Sequence, residues 1–270
     1  MTDPTAVNSQ ITDSVSTPQG AVPRGRFVWH DLMTSQVDLA MRYYADLLGW
    51  TYTDFEGMDY KMINAGGVEW GGFGKTGPDQ PSHWISHVTV EDVDAAAAKV
   101  EELGGTVQVP ATDIPQVGRF AIILSPTGAA ISLVRPLQGG EEEPATTVHG
   151  TFCWHELLAQ DVETEGHFFS EICGWRVEDV PMGDLGTYHL FKRLDTGKDA
   201  GSMMSMPGED GSSTWLPYIL VDDADAISAR TEELGGKVWV KPRDIPDVGR
   251  IVVTSGSTGA MIAFLQPPQG

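Results

Sequence analysis

The chain predicts an α+β fold built from four repeated units, each a strand, a helix and three further strands, grouped as two domains. Three observations carry this. Residues 27 to 50, "FVWHDLMTSQVDLAMRYYADLLGW", align end to end with residues 152 to 175, "FCWHELLAQDVETEGHFFSEICGW", and residues 83 to 140 align with 214 to 270. Within each half a fainter repeat places Leu32, Thr34, Gln36, Asp38, Leu47 and Gly49 over Val88, Val90, Asp92, Asp94, Leu103 and Gly105. In each unit, hydrophobic spacing passes from period 2 to a helical period and back again.

Each element has a local cause. The openings "FVWHDLMT" and "HWISHVTV" alternate as half-buried strands do, and each runs into a polar or acidic turn suited to start a helix. In "VDAAAAKVEELGG", Val93, Ala96, Ala97 and Val100 fall on one helical face and the Gly pair supplies the stop. The pieces "GTVQVPA", "RFAIILS" and "AAISLVR" then read as strands, separated by "DIPQVG" and "SPTG" turns. The expected layout is an N-terminal disordered arm (1–24), a first domain (25–137), an acidic Pro- and Gly-bearing linker (138–150) and a second domain (151–270).

Composition narrows the partners. With 38 acidic and 17 basic residues, a net charge of −21, the surface repels phosphate backbones and anionic lipid, so neither nucleic acid nor membrane is expected. The N-terminus has no basic start and no apolar run, unlike a signal peptide, and a cytoplasmic protein is expected. Cys153 and Cys173 lack metal or redox spacing and read as small core residues.

The helix ending in "YYADLLGW", the helix ending in "KVEELGG" and the late "SPTGAAISLV" together resemble the vicinal oxygen chelate (VOC) superfamily, the glyoxalase, bleomycin-resistance and extradiol-dioxygenase group. The doubled "WHDL"/"WHEL" and "DIPQVGRF"/"DIPDVGRI" narrow the likeness to two-domain bacterial glyoxalase-like proteins. The resemblance implies four βαβββ units paired into two glyoxalase-like domains, each a curled mixed sheet forming a cup with helices outside. It also implies a small organic molecule as the partner and, in metal-dependent members, a divalent ion held by one residue from each unit's first strand and one from each unit's last.

Those metal positions fall here on Trp29, Ile85, Trp154 and Leu216 in the first strands, and on Ser132 and Ala263 in the last strands of the second and fourth units. They are poor or impossible ligands, so no metal and no other cofactor is expected, a divalent ion resting on family analogy alone.

Strand parity sorts the remaining candidates. If position 29 faces the cup, so do Asp31 and Met33, whereas His30 points at the helices, as do Cys153 and His155 in the second half. For His30 and His155 two readings stand: a core-edge histidine bonded to backbone, or a ligand or base. The inner repeat brings His87 opposite Asp31, an acid/base pair or a hydrogen-bonded pair that orders the cup, and Tyr218 opposite Glu156. Trp29 and Trp154 stand as stacking platforms or core plugs, with Ser132 as a further cup contact. Arg119 and Arg250 either clamp an anion or pair with Asp113 and Asp244 of their own motif.

The functional expectation is a protein that binds a small molecule and, if it is an enzyme, acts as a glyoxalase-like lyase or isomerase through proton transfer at Asp31 and His87. The alternatives are a non-catalytic drug- or metabolite-binding protein and a metal-dependent glyoxalase or dioxygenase. Four units in one chain permit a monomer with both cups complete, and the oligomeric state stays open.

Overall fold

The computed structural model describes residues 23–137, 148–183, 186–206 and 211–268. The arm through residue 22 and the linker segment 138–147 lie outside the described residues. The first half holds β1 (Phe27–Thr34), α1 (Val37–Leu48), β2 (Thr51–Asp54), β3 (Lys61–Ala65), β4 (Val68–Lys75), β5 (His83–Thr89), α2 (Val93–Glu102), β6 (Thr106–Ile114), β7 (Gly118–Leu124) and β8 (Ala130–Pro136). The second holds β9 (Phe152–Ala159), α3 (Val162–Cys173), β10 (Trp175–Pro181), β11 (Thr187–Arg193), β12 (Asp199–Ser205), β13 (Thr214–Leu220), α4 (Ala224–Glu233), β14 (Lys237–Ile245), β15 (Gly249–Ser255) and β16 (Met261–Gln266).

The turn acids start the helices as their chemistry dictates. Asp92, Asp161 and Asp223 accept the backbone N–H of Ala95, Thr164 and Ala226, satisfying donors that the first helical turn leaves open. Gln36, in the equivalent place before α1, makes no side-chain cap. Gly49 and Gly174 end α1 and α3 at φ 70° and 72°, a left-handed conformation in which each N–H returns to a helical carbonyl.

Each half is one eight-stranded mixed sheet, ordered β2-β3-β4-β1-β5-β8-β7-β6 and β10-β11-β12-β9-β13-β16-β15-β14. The two units of a half meet through the antiparallel pairs β1/β5 and β9/β13, while β4, β8, β12 and β16 lie parallel to those inner strands. Four βαβββ units therefore form two sheets whose helices lie on one side, leaving the other side as the cup.

The two halves pack through their helix-bearing faces. One core cluster joins Tyr43, Tyr44 and Leu47 of the first unit to Ile227, Val252 and Phe264 of the fourth. The other joins Val88, Val100 and Ile123 of the second unit to Phe168, Ile172 and Trp175 of the third. Two indoles clasp the halves in matching fashion: Trp50 Nε1–H donates to Gly150 O (2.7 Å) and Trp175 Nε1–H donates to Gly25 O (2.9 Å). Both rings are 2 % exposed, and hiding such a side chain contributes on the order of 1.5–3 kcal/mol.

The folded halves extend slightly beyond the expected domain edges. Arg24, placed by the sequence in a disordered arm, donates to Ile172 O (3.3 Å) at the end of α3, and Pro23 O accepts from the Thr89 hydroxyl. His149 and Gly150, placed in the linker, belong to the clasp, with Gly150 N–H on Leu220 O (2.8 Å). These segments are held because the back-to-back faces offer them backbone partners, which local composition does not reveal.

Candidate functional site

His30 and His155 meet at the junction of the halves. His30 Nδ1–H donates to Trp70 O (2.9 Å), so its Nε2 accepts the Nε2–H of His155 at 2.7 Å. Each ring also stacks on a phenylalanine of the opposite half: His30 on Phe152 (3.7 Å) and His155 on Phe27 (3.6 Å). Burial holds the His30 imidazole down at about 3 and that of His155 well below its ordinary value, so both are neutral. The backbone-bonded reading describes His30, while the hydrogen-bond partner of His155 is His30 itself, from the other half. They are part of the core.

A bulge in each opening strand alters the expected parity at its start. Pairing slips between Phe27 and Trp29, and between Phe152 and Trp154 opposite Ile219 and Tyr218. Phe27 therefore turns to the interface, and Cys153, expected there, packs instead on the cup side against a cluster that includes Leu216, Tyr218 and Ala263. Burial pushes the Cys153 thiol up to about 12 and raises Cys173 as well, as suits packing residues rather than nucleophiles.

Beyond the bulges the parity holds, and the first cup gathers around Asp31. His87 Nε2 lies 3.0 Å from Asp31 Oδ2. The other carboxylate oxygen accepts from the Tyr60 hydroxyl and from Trp29 Nε1–H (3.0 Å), and the same indole N–H reaches the Tyr60 oxygen at 2.7 Å. Three donors converge on one carboxyl, which fixes His87 as the Nε2–H tautomer and leaves Nδ1 without a hydrogen-bond partner among the described residues. Ser132 pairs with His87 in the β5/β8 register, and its hydroxyl is fully buried without a partner.

Tyr60 is the residue that strand parity missed. It precedes β3 and reaches the cup because Gly72, opposite Asp31 in the β1/β4 register, has no side chain; a Cβ there would run into the Tyr60 ring. Burial, then the neighbouring Asp31 carboxylate, raise the Tyr60 phenol well above its ordinary value and keep it a donor. A signal was available: "YKMI" (60–63) overlies "YHLF" (188–191), so this tyrosine is repeated too.

The second cup has different internal bonding. Tyr218 OH donates to Glu156 Oε2 (2.8 Å). Trp154 Nε1–H goes to Ser202 Oγ (2.9 Å) and Tyr188 OH (3.2 Å), and Tyr188 OH to Ser202 Oγ (2.5 Å). Ser202, opposite Glu156 in the β9/β12 register, stands where the first cup has Gly72 and takes up the tyrosine and the indole. Burial pushes the Glu156 carboxyl up, against the hydrogen bonds of Tyr218 and Tyr188, which pull it down. Ala263 stands where the first cup has Ser132.

Arg119 and Arg250 take the intramolecular course. Arg119 donates to both oxygens of Asp94 (2.7 Å each) and to Asp113 (2.9 Å); Arg250 donates to both of Asp225 (2.7 and 2.9 Å) and to Asp244 (3.0 Å). Each ties the first turn of α2 or α4 to the DIPxVGR hairpin. Arg250 lines a surface cavity of about 500 Å³ with Asp247 and Gln266, but its guanidinium is engaged there by the two carboxylates.

The family's metal positions do not supply a donor set. Trp29, Ile85, Trp154, Leu216 and Ala263 cannot ligate, and Ser132 is a neutral hydroxyl. Among the described residues no group of three or more His, Cys, Asp or Glu side chains is placed to hold a metal ion. No helix of the described residues is long and apolar enough to cross a membrane.

This architecture and its sequence define the class: the chain belongs to the Glyoxalase/Bleomycin resistance protein/Dioxygenase superfamily, whose model matches residues 26–133. It is 34 % identical over 249 residues to "Putative glyoxylase CFP32" of Mycobacterium tuberculosis (strain CDC 1551 / Oshkosh), covering 88 % of this chain and 94 % of that one. Over 260 residues it is 27 % identical to "Anthracycline biosynthesis protein DauV" of Streptomyces sp. (strain C5), covering 82 % and 86 %. In fold it is similar to the Mn(II)-bound glyoxalase from Novosphingobium aromaticivorans (TM-score 0.64, 15 % identity, 91 % of this chain and 83 % of that one). It is similar also to the 2,3-dioxygenase LapB from Pseudomonas sp. KL28 (TM-score 0.60, 12 % identity, 91 % and 93 %).

Proposed function

We propose that the protein binds a small organic molecule in its cups and that the first cup moves a proton on it, a lyase- or isomerase-type step carried by Asp31 and His87 without the family's metal. The supporting observation is the 3.0 Å Asp31–His87 bond, which orients the imidazole so that the free Nδ1 is its basic atom. Tyr60 and Trp29 hold the carboxylate. The names of the relatives, a glyoxylase and a protein of anthracycline biosynthesis, agree with a small-molecule role.

The test is solvent deuterium exchange into small ketones and aldehydes bearing an acidic C–H, followed by proton NMR. The wild type exchanges such a proton, and His87→Ala and Asp31→Asn slow the exchange by about 10²-fold or more, the usual contribution of a positioned base. Saturable binding with no exchange, or exchange indifferent to both substitutions, assigns the protein to the binding class. Metal analysis finding about one tightly bound divalent ion per half would remove the metal-free part of the reading. The second reading, binding alone, is favoured in the second cup, where Glu156 faces a tyrosine instead of an imidazole.

A further inference from the structure

Arg243 differs from the other DIPxVGR-region arginines. It precedes the repeated "DIPDVGR", and its counterpart in the first half, where "VPATDIPQVGR" overlies "VKPRDIPDVGR", is Thr112. In the β14/β15 register Arg243 pairs with Ile251, and cross-strand partners share a face. Ile251 packs with Leu216, Tyr218, Val253 and Ala263 on the cup side of the second sheet. Arg243 thus rises from the rim of the second cup, where its charge is felt by both Glu156 and Tyr218.

Its guanidinium is exposed and makes no hydrogen bond or ion pair among the described residues. That is notable in a chain of net charge −21, in which the nearby Arg250 is engaged by two carboxylates. Below it the cup wall is apolar, from Leu216, Ile251, Val253 and Ala263, with Trp154 at one side and the polar groups of Glu156, Tyr218 and Tyr188 inside. An unpaired guanidinium above an apolar wall fits a molecule with a carboxylate at one end and a flat or apolar body at the other, because Arg presents a planar fork that matches a carboxylate. Burial raises the Glu156 carboxyl above its ordinary value, which weakens its opposition to an anion in the cup.

We infer that the second cup is an anion-selective binding site, with Arg243 anchoring the carboxylate of an aromatic or otherwise apolar organic acid whose body lies along Trp154 and Leu216. The first cup, with Thr112 at the same place, lacks this anchor. The inference rests on the reading that the cups take small molecules, and it is independent of proton transfer at Asp31 and His87.

The experiment titrates the full chain calorimetrically with benzoate, 2-naphthoate and 9-anthroate, each beside its neutral carboxamide. Wild type binds at least one carboxylate saturably and more tightly than its amide. Arg243→Gln weakens that carboxylate by about tenfold or more, the scale of one charge-assisted interaction, leaves the amide unchanged and abolishes the salt dependence of binding. Arg243→Lys recovers part of the loss. Leu216→Trp, which fills the second cup, removes binding of both forms. If carboxylate and amide bind alike, or Arg243→Gln leaves the carboxylate unaffected, the anion anchor is overturned while the cup reading stands. If neither form of any pair binds, the cup reading falls and this inference with it.

Discussion

The two cups have the same scaffold and different contents. Asp31 sits under an indole and a phenol and faces an imidazole; Glu156 faces a phenol, while its neighbouring indole bonds to Ser202 and a second phenol, Tyr188, is shared between Ser202 and Glu156. One small substitution accounts for part of this: Gly72 lets Tyr60 sink onto Asp31, whereas Ser202 takes up the Trp154 indole and draws the Tyr188 hydroxyl toward itself. On the opposite faces the halves agree closely, in the paired indole clasps and in His30 and His155, each stacked on the other half's phenylalanine. The contrast teaches that the shared face is constrained by packing, where a lost atom leaves a cavity or an unmatched donor, while the cups were free to diverge.

The strongest way to break this comparison is at the clasps. Trp50→Ala and Trp175→Ala are expected to destabilise the protein by about 3–5 kcal/mol each, read from denaturant midpoints, and to do so about equally. A large inequality would show that the back-to-back faces are not equivalent. Next comes acid sensitivity. The folded-state value of His30, about 3, lies below the ordinary 6.5, so the unfolded chain binds more protons. This contribution is fully present above about pH 6.5 and is lost as pH falls toward about 3. Replacing both histidines, His30→Gln with His155→Gln, is expected to flatten the acid slope of stability measured between about pH 7 and about pH 5.

Within the cups the effects are smaller and unlike. Tyr218→Phe removes a phenolic donor from the buried Glu156 and is expected to cost about 1–3 kcal/mol. Gly72→Ser sharpens the comparison further, because it gives the first cup the second cup's pattern. Tyr60 is expected to leave Asp31, seen as a shift of the Trp29 indole N–H resonance in the proton–nitrogen spectrum; an unmoved resonance would show that Ser202 is not what separates the cups. The smallest effect belongs to Arg119→Gln, whose ion pairs are largely exposed and whose stability change should be hard to separate from wild type.

Particular residues show how much of the site is legible in the amino-acid order. Asp31 against His87 and Glu156 against Tyr218 follow from repeat offsets and strand alternation, since equivalent strands of paired units lie side by side. Tyr60 does not, because it enters from a loop before β3 and the space it occupies depends on the absence of a side chain at Gly72. Alternation puts Cys153 on the wrong face because a single extra residue in the strand reverses it, and nothing in "GTFCWH" announces the bulge. Arg243 is hidden beside the more conspicuous repeated arginines, because whether a guanidinium is already engaged depends on which helix lies over it.

The sequence by itself determined the number of units, the order of their elements, the helix caps and which face most strand residues present, because those follow from short-range sterics and hydrophobic periodicity. Only the tertiary structure decided how the halves dock, and with that the neutral His30–His155 pair, the exchanged indole clasps, the tyrosine over Asp31 and the unpaired arginine above Glu156. These depend on contacts between residues far apart in the chain, where close packing and the matching of each buried donor to an acceptor leave few arrangements open.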